Sequence, residues 1–339
     1  MDFVYHVLIM CGIYAILCAS LNLLVGFGGL FNVGHGAFYG IGAYIGALIA
    51  AHVAIPFPLE ILASGIGAGL FGIAIGFPSL RLKGEYLALT TYGFAVVMYT
   101  IFNNWIAVTR GPMGIPGVPR PKILFVHFNS LPLFLVLVFV SVCISIFILN
   151  RVVASPFGKS LMAIREDEIA ALAAGKDVAQ IKVLVFSLGA FFAGIAGNLF
   201  VHYISLADPS SFTTDESFLM FSMVVFGGMG SLRGSILSAI ILVLFPEVLQ
   251  VPGKGRQVRI DRQLIDGLFA SVQVYQPHVV AQIDNLAVIM VGSPGIYIYR
   301  QTSLAQLAGY LTHVNAHAAS ILGTDTAYGR TMNAEHSQS

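Results

Sequence analysis

From Phe3 to Leu59 the chain carries no Asp, Glu, Lys or Arg. Similar gaps run from Tyr86 to Thr109, from Ile123 to Asn150 and from Val183 to Ala207. Each matches or exceeds the ~20 residues a helix needs to cross the hydrocarbon core of a bilayer. A water-soluble helix of that length needs a polar face, and these runs have almost none. The pattern predicts an all-α fold: a polytopic integral membrane helical bundle of about eight transmembrane helices.

Composition narrows the classes further. Charged residues are 10% of the chain, against about 25% in soluble domains, so no basic stripe is available for nucleic acid. Cys11, Cys18 and Cys143 lie in apolar runs without ligand spacing and read as small packing residues. The first hydrophobic segment lacks a basic leader and exceeds a signal core in length, so it reads as a retained span.

The apolar runs place spans at 3–25, 37–53, 60–80, 86–107, 131–150, 183–205, 213–228 and 235–250. A Gly-rich joint, 226–234, separates the last two and suggests a tight helical hairpin. Between the first two lies Gly26-Phe-Gly-Gly-Leu-Phe-Asn-Val-Gly-His-Gly36, apolar yet too Gly-rich for a regular helix. Two readings are open: an interfacial loop, or broken backbone at membrane depth, which is tolerated only against protein or a water-lined cavity. Asn32, Gly34, His35 and Gly36 are the candidates there for lining a translocation path, with a packed histidine as the structural alternative.

Gly65, Gly69, Gly72 and Gly76 share one helical face, as do Gly189, Ala193 and Gly197. Small residues let helices approach closely in lipid. The rows are either packing seams inside one bundle or an oligomer seam.

Lys and Arg set the orientation. Arg151, Lys159, Arg165, Lys176, Lys182, Arg81, Lys83 and Arg233 fall on one side, and Arg110, Arg120 and Lys122 on the other. The first group is expected in the cytoplasm, with the first terminus outside. Within the polar loop 151–182, Ser155-Pro156 is a helix start and Gly175 a stop. Phe157, Leu161, Ile164 and Leu172 fall near helical spacing, interrupted by Arg165-Glu-Asp-Glu168. This predicts one or two short amphipathic helices. The acidic cluster argues against a helix lying on anionic lipid and for docking into a soluble partner. Gly158-Lys159-Ser160 is not the end of a phosphate-binding loop, because Val153 occupies the position where that loop requires glycine.

Several ordered stretches resemble one family, the LivM-type permease of branched-chain amino acid ABC importers. They are Leu21-Asn-Leu-Leu-Val-Gly26 with Asn32-Val-Gly-His-Gly-Ala-Phe38, Leu80-Arg-Leu-Lys-Gly-Glu-Tyr-Leu-Ala-Leu89, the Gly/Pro loop 111–121, Ser155 to Gly175, Asp208-Pro-Ser-Ser-Phe-Thr213 and Gly227-Gly-Met-Gly-Ser-Leu-Arg-Gly234. The resemblance covers residues 21–250. It implies a non-catalytic subunit without a cofactor, in the inner membrane of a bacterium, that works by alternating access. The partners it implies are two ABC ATPase subunits, a second, LivH-like permease and a periplasmic substrate-binding protein. It also implies that Ser155, Pro156, Gly158, Arg165, Glu166, Asp167, Glu168, Ala171 and Gly175 belong to the element that couples to the ATPase. The general importer pattern is Glu-Ala-Ala, three residues, then Gly. Ala170, Ala171 and Gly175 fit it, and the acid, Glu168, stands one position early.

The alternative classes are an ion-coupled carrier and a membrane enzyme. Few ionisable residues interrupt the spans, which argues against a proton relay, and no catalytic motif interrupts them either.

Composition changes near residue 250. One glutamine, Gln180, precedes Gln250, and glutamine recurs thereafter. The sequence therefore divides into a permease domain, 1–250, and an atypical tail, 251–339, expected to come from a shifted frame or to be partly disordered. His313 and His317 are spaced like a helical metal pair but have no third ligand in view and read as surface histidines.

Overall fold

The computed structural model describes residues 2–249, apart from positions 54, 80, 81, 83, 124, 125 and 129, and three strands between residues 279 and 299. Arg81, Lys83, His313 and His317 lie outside the described residues. By contacts the chain forms two units, Met1–Gly253 and Lys254–Ser339.

The first unit is helical. Its elements are α1 (Asp2–Asn22), α2 (His35–His52), α3 (Phe57–Ser79), α4 (Glu85–Asn104), the single turn α5 (Ile106–Thr109), α6 (Leu131–Ala154), α7 (Pro156–Glu166), α8 (Glu168–Ala173), α9 (Val178–Ile204), α10 (Thr214–Gly227) and α11 (Leu232–Leu249). Each expected span coincides with one helix. Five stretches, Asp2–Phe27, Phe57–Phe77, Glu85–Asn104, Leu131–Ala154 and Val178–Ile204, are long and apolar enough to cross a membrane. Among the described residues these five meet that standard of length and composition, and the other three expected spans are the shorter or less apolar helices α2, α10 and α11. The clearest case is α10, whose 14 residues reach only about 21 Å.

Two helices form the centre. In the most apolar window of each span, α1 is 78% buried and α9 67%, against 17% for α6. Helix α9 packs between α2 and α3, while α1 packs on α6, α10 and α11. The central helices are rich in small or linear side chains, which allows this. An added Cβ on Gly72 would sit 2.8 Å from the Ala190 Cβ, and one on Gly194 2.6 Å from the Ala68 Cβ. Side chains on the outer faces stay exposed, such as Phe139 and Phe147 of α6 and Ile66 and Leu70 of α3, as contact with hydrocarbon requires.

Two short ladders pin the loop that follows α5. Strand β1 (Ile115–Pro116) pairs antiparallel with β4 (Leu206–Ala207), and β2 (Lys122–Ile123) with β3 (Val126–His127). Gly117 N and Val118 N donate to Ser205 O, so this loop is stitched to the C-terminal end of α9. The second unit contains a three-stranded antiparallel sheet, β5 (Val279–Ile283), β6 (Ala287–Gly292) and β7 (Gly295–Tyr299), in that order.

Candidate functional site

The polar loop after α6 folds into two helices. Ser155 Oγ accepts from Gly158 N at 3.3 Å, and Pro156 occupies the first turn. Leu161 and Ile164 are buried beneath α7. The helix breaks at Asp167 (φ −152°, ψ 109°), whose carboxylate accepts from Ile169 N and Ala170 N at 2.8 and 3.0 Å. Helix α8 ends two residues before Gly175, which has φ +76°. Lys176 N donates to Ala171 O and Gly175 N to Leu172 O, the paired closure that glycine in the left-handed region permits. Ile164, Ala171 and Val178 form a small core of their own.

The break redistributes the side chains expected on one apolar face. Leu161 and Ile164 point inward, but Leu172 is 54% exposed and Ile169 72%. The charges redistribute as well. Glu168 pairs with Lys182 at 2.9 Å, Asp167 caps α8, and Arg165 donates to Gly26 O at 2.6 Å. Arg165, Glu166 and Asp167 are exposed, and among the described residues none of the three forms an ion pair. The outward surface of α8 is therefore apolar, with the acids Glu166 and Asp167 at its edge. Ile169 stands where the importer pattern has its glutamate.

Arg165 leads to the broken segment. Residues Leu23–Phe27 widen into a π-helical turn at the end of α1. Asn22, just before it, reaches the α10–α11 turn: its Oδ1 accepts from Gly230 N at 2.9 Å, and its Nδ2 donates to Ser231 O and Ser235 Oγ. Residues 28–34 then run without regular helix. Leu30 and Asn32 are buried and Phe31 is exposed. Non-helical backbone here lies against protein.

The four candidate path residues sit inside this packing. Asn32 Oδ1 accepts from Gly34 N at 2.9 Å, and Asn32 Nδ2 lies 3.4 Å from His35 Nδ1. His35 Nε2 meets Ser20 Oγ at 2.9 Å. Gly36 N donates to Ser217 Oγ at 2.9 Å, and Val33 N to Thr91 Oγ1 at 3.1 Å. Asn32 and His35 are fully buried. In this conformation the cluster ties α1, α2, α4 and α10 together, and His35 is satisfied by side chains of Ser20 and Asn32.

The glycine row of α3 faces α9. Added Cβ atoms on Gly65 would meet Phe191, on Gly69 Ser187 O, on Gly72 Ala190 and on Gly76 Phe186. The seam lies within one chain.

Sequence reasoning missed a polar cluster at the far end of α9. Glu60 Oε1 hydrogen-bonds His202 Nε2 and, at 3.0 Å, accepts from Asn198 Nδ2. Asn198 Nδ2 also donates to Ser64 Oγ at 3.0 Å, and His202 Nδ1 hydrogen-bonds Pro119 O at 2.6 Å. Glu60, Ser64, Asn198 and His202 are all buried. Tyr14 likewise donates to Glu216 at 2.8 Å. Ionisable residues therefore do stand inside the bundle, contrary to the argument from charge gaps. The available signal was two polar pairs at i, i+4 spacing, Glu60 with Ser64 and Asn198 with His202, each on one helical face.

The family model described as branched-chain amino acid transport system / permease component matches residues 3–257. The high-affinity branched-chain amino acid transport system permease protein LivM of Escherichia coli is 37% identical over 288 residues, covering 78% of this chain and 67% of the relative. The probable branched-chain amino acid transport permease protein LivM of Methanocaldococcus jannaschii is 28% identical, covering 74% and 82%. The permease protein LivH of Escherichia coli is 22% identical, covering 68% and 79%. No solved structure matches the chain.

Proposed function

This chain belongs to the permease-component family of branched-chain amino acid transport systems, and from that membership we propose that it is the LivM-like membrane subunit of an ATP-driven importer. Its solutes are branched-chain amino acids or related small molecules. It pairs with a second, LivH-like permease, two ABC ATPase subunits and a periplasmic binding protein in a bacterial inner membrane. The chain hydrolyses no ATP; the ATPase subunits do. Residues 1–250 are the permease domain and 251–339 a separate tail.

The observation that carries the coupling assignment is the outward surface of α8. Ile169 and Leu172 are exposed apolar side chains on a short helix capped at both ends. Two neighbouring exposed apolar side chains, edged by exposed acids, offer a soluble partner a surface to cover. Nucleotide binding closes the ATPase dimer, α7 and α8 follow as one body, and the bundle reopens toward the other face. Co-expression with the ATPase and LivH-like subunits tests this. The wild-type chain should co-purify with both, and Ile169→Asp with Leu172→Asp should lose the ATPase and retain the permease partner. Undiminished ATPase recovery would remove α8 from the interface.

The buried Glu60–His202 and Tyr14–Glu216 contacts keep one rival in view, because intramembrane titratable groups often serve ion coupling. Family membership argues against it. Leucine uptake that stops on ATP depletion and survives collapse of the ion gradient would support the importer; the reverse would support the carrier.

A further inference from the structure

We infer that Arg165 is a positioning residue that ties α7 to the broken end of α1 and to the α10–α11 turn, so that displacement of the coupling helices is delivered to the segment bearing Asn32 and His35. This rests on the reading of α7 and α8 as the docking element.

Backbone bookkeeping gives the first argument. In a continuous α-helix Gly26 O would accept from Leu30 N. Here Leu30 N turns instead to Leu24 O at 3.0 Å, and Gly29 N to Val25 O at 3.2 Å. Widening into a π turn thus leaves the Gly26 carbonyl without its helical donor, and Arg165 Nη1 supplies one at 2.6 Å. A guanidinium donor to a carbonyl in a partly buried place makes a charge-assisted bond. Its partner lies at the end of α1, distant from α7 in sequence.

Space gives the second. Gly29 holds φ +64°, and an added Cβ there would stand 2.9 Å from Arg165 Cγ, so the glycine makes room for the arginine stem. A Cβ on Gly230 would stand 3.3 Å from Arg165 Nη1, which places the α10–α11 turn beside the same guanidinium. One turn earlier, Leu161 Cδ1 would meet a Cβ on Gly28 at 3.2 Å. Three glycines from two separate segments therefore converge on one face of α7. Asn22 holds Gly230 against the α1 end, so the two segments are tied to each other beside Arg165. Residues 28–34 leave from this point and reach Val33, whose N–H is held by Thr91 on α4.

The test uses the assembled importer in liposomes, with Cys143→Ser and Val33→Cys in the permease and a maleimide as probe. With Arg165 present, trapping ATP with vanadate should change the labelling rate at position 33 by about fivefold or more, the low end of ordinary coupling. Arg165→Met keeps the apolar stem on Gly29 and removes the donors. It should still co-purify with the ATPases and hydrolyse ATP, while the vanadate-dependent change in labelling disappears. Arg165→Lys, which keeps a cationic donor group without the guanidinium's fork, should restore part of the change. A full response in Arg165→Met would overturn the assignment, as would loss of ATPase assembly in that variant, which would make Arg165 a docking contact. No response in the wild-type importer would also overturn it. Failure of the wild-type chain to recruit ATPase at all would instead defeat the docking reading itself.

Discussion

Glu168 Oε1 lies 2.9 Å from Lys182 Nζ, joining the first turn of α8 to the first turns of α9. The lysine side chain is 7% exposed and the carboxylate 26%. An acid that reads in sequence as a free docking charge is therefore engaged within its own chain, and the surface left for a partner consists of apolar side chains edged by the exposed acids Glu166 and Asp167.

Removing Glu168 should consequently act on local stability. Glu168→Gln leaves a nearly buried ammonium without its counter-charge, which destabilises the α8–α9 corner by about 1–3 kcal/mol. Limited proteolysis between residues 166 and 177 should accelerate in that variant. The swap Glu168→Lys with Lys182→Glu should recover much of the loss. Equal proteolysis rates in wild type and Glu168→Gln would show the pair to be without consequence.

Single substitutions at Ile169 and Leu172 should behave in the opposite way. Both side chains are exposed, and surface changes away from structural features usually stay within about 0.5 kcal/mol. Ile169→Ser and Leu172→Ser should leave the melting temperature of the purified permease unchanged. Each should lower recovery of the ATPase, with Ile169→Ser lower because that side chain is the more exposed. A drop in melting temperature with normal assembly would reverse the roles of Glu168 and Ile169.

The α3–α9 seam ranks its glycines. A Cβ on Gly72 would meet the Ala190 Cβ and Phe186 O at 2.8 Å and the Ser187 Cα at 3.0 Å, whereas one on Gly69 meets nothing nearer than 3.3 Å. Backbone and Cβ atoms cannot move aside as a side-chain tip can. Gly72→Ala should therefore cost more than Gly69→Ala, about 1–3 kcal/mol against less than about 1. Thermal unfolding in detergent measures both. Equal melting temperatures would mean that the seam relaxes freely.

How far the sequence could be read follows from where the information lies. A charge gap is local, so the helices stood at their expected places, and Ser155, Pro156 and Gly175 mark caps by their own chemistry. The π turn at Leu23–Phe27 has no such local mark. Its contacts are with Arg165 and, through Asn22, with Gly230, and these meet only after the bundle forms. Asp167 caps α8 and so rotates Leu172 away from the face of Leu161, a consequence that spacing within one assumed helix cannot show. In sequence, Glu60 is the residue that ends the first charge gap. Its partner His202 becomes visible only once α3 and α9 are known to be neighbours.

That last pair yields its own prediction. Asn198 Nδ2 donates to both Glu60 and Ser64, and His202 joins Glu60 to the Pro119 carbonyl. The cluster thus fastens α3 to α9 and both to the loop stitched across the end of α9. Interhelical hydrogen bonds in membranes average about 0.6 kcal/mol and reach about 1.7, so neither bond alone is decisive. Their shared acceptor makes the effects non-additive. Glu60→Gln retains an acceptor at that position, while Asn198→Ala empties the donor side. In a double-mutant cycle of these two, melting free energies should show a coupling of about 0.5–2 kcal/mol, whereas Glu60→Gln paired with the remote Ser160→Ala should be additive. A zero coupling between positions 60 and 198 would mean that the loop, through β1 and β4, holds this end of the bundle without help from the buried polar cluster.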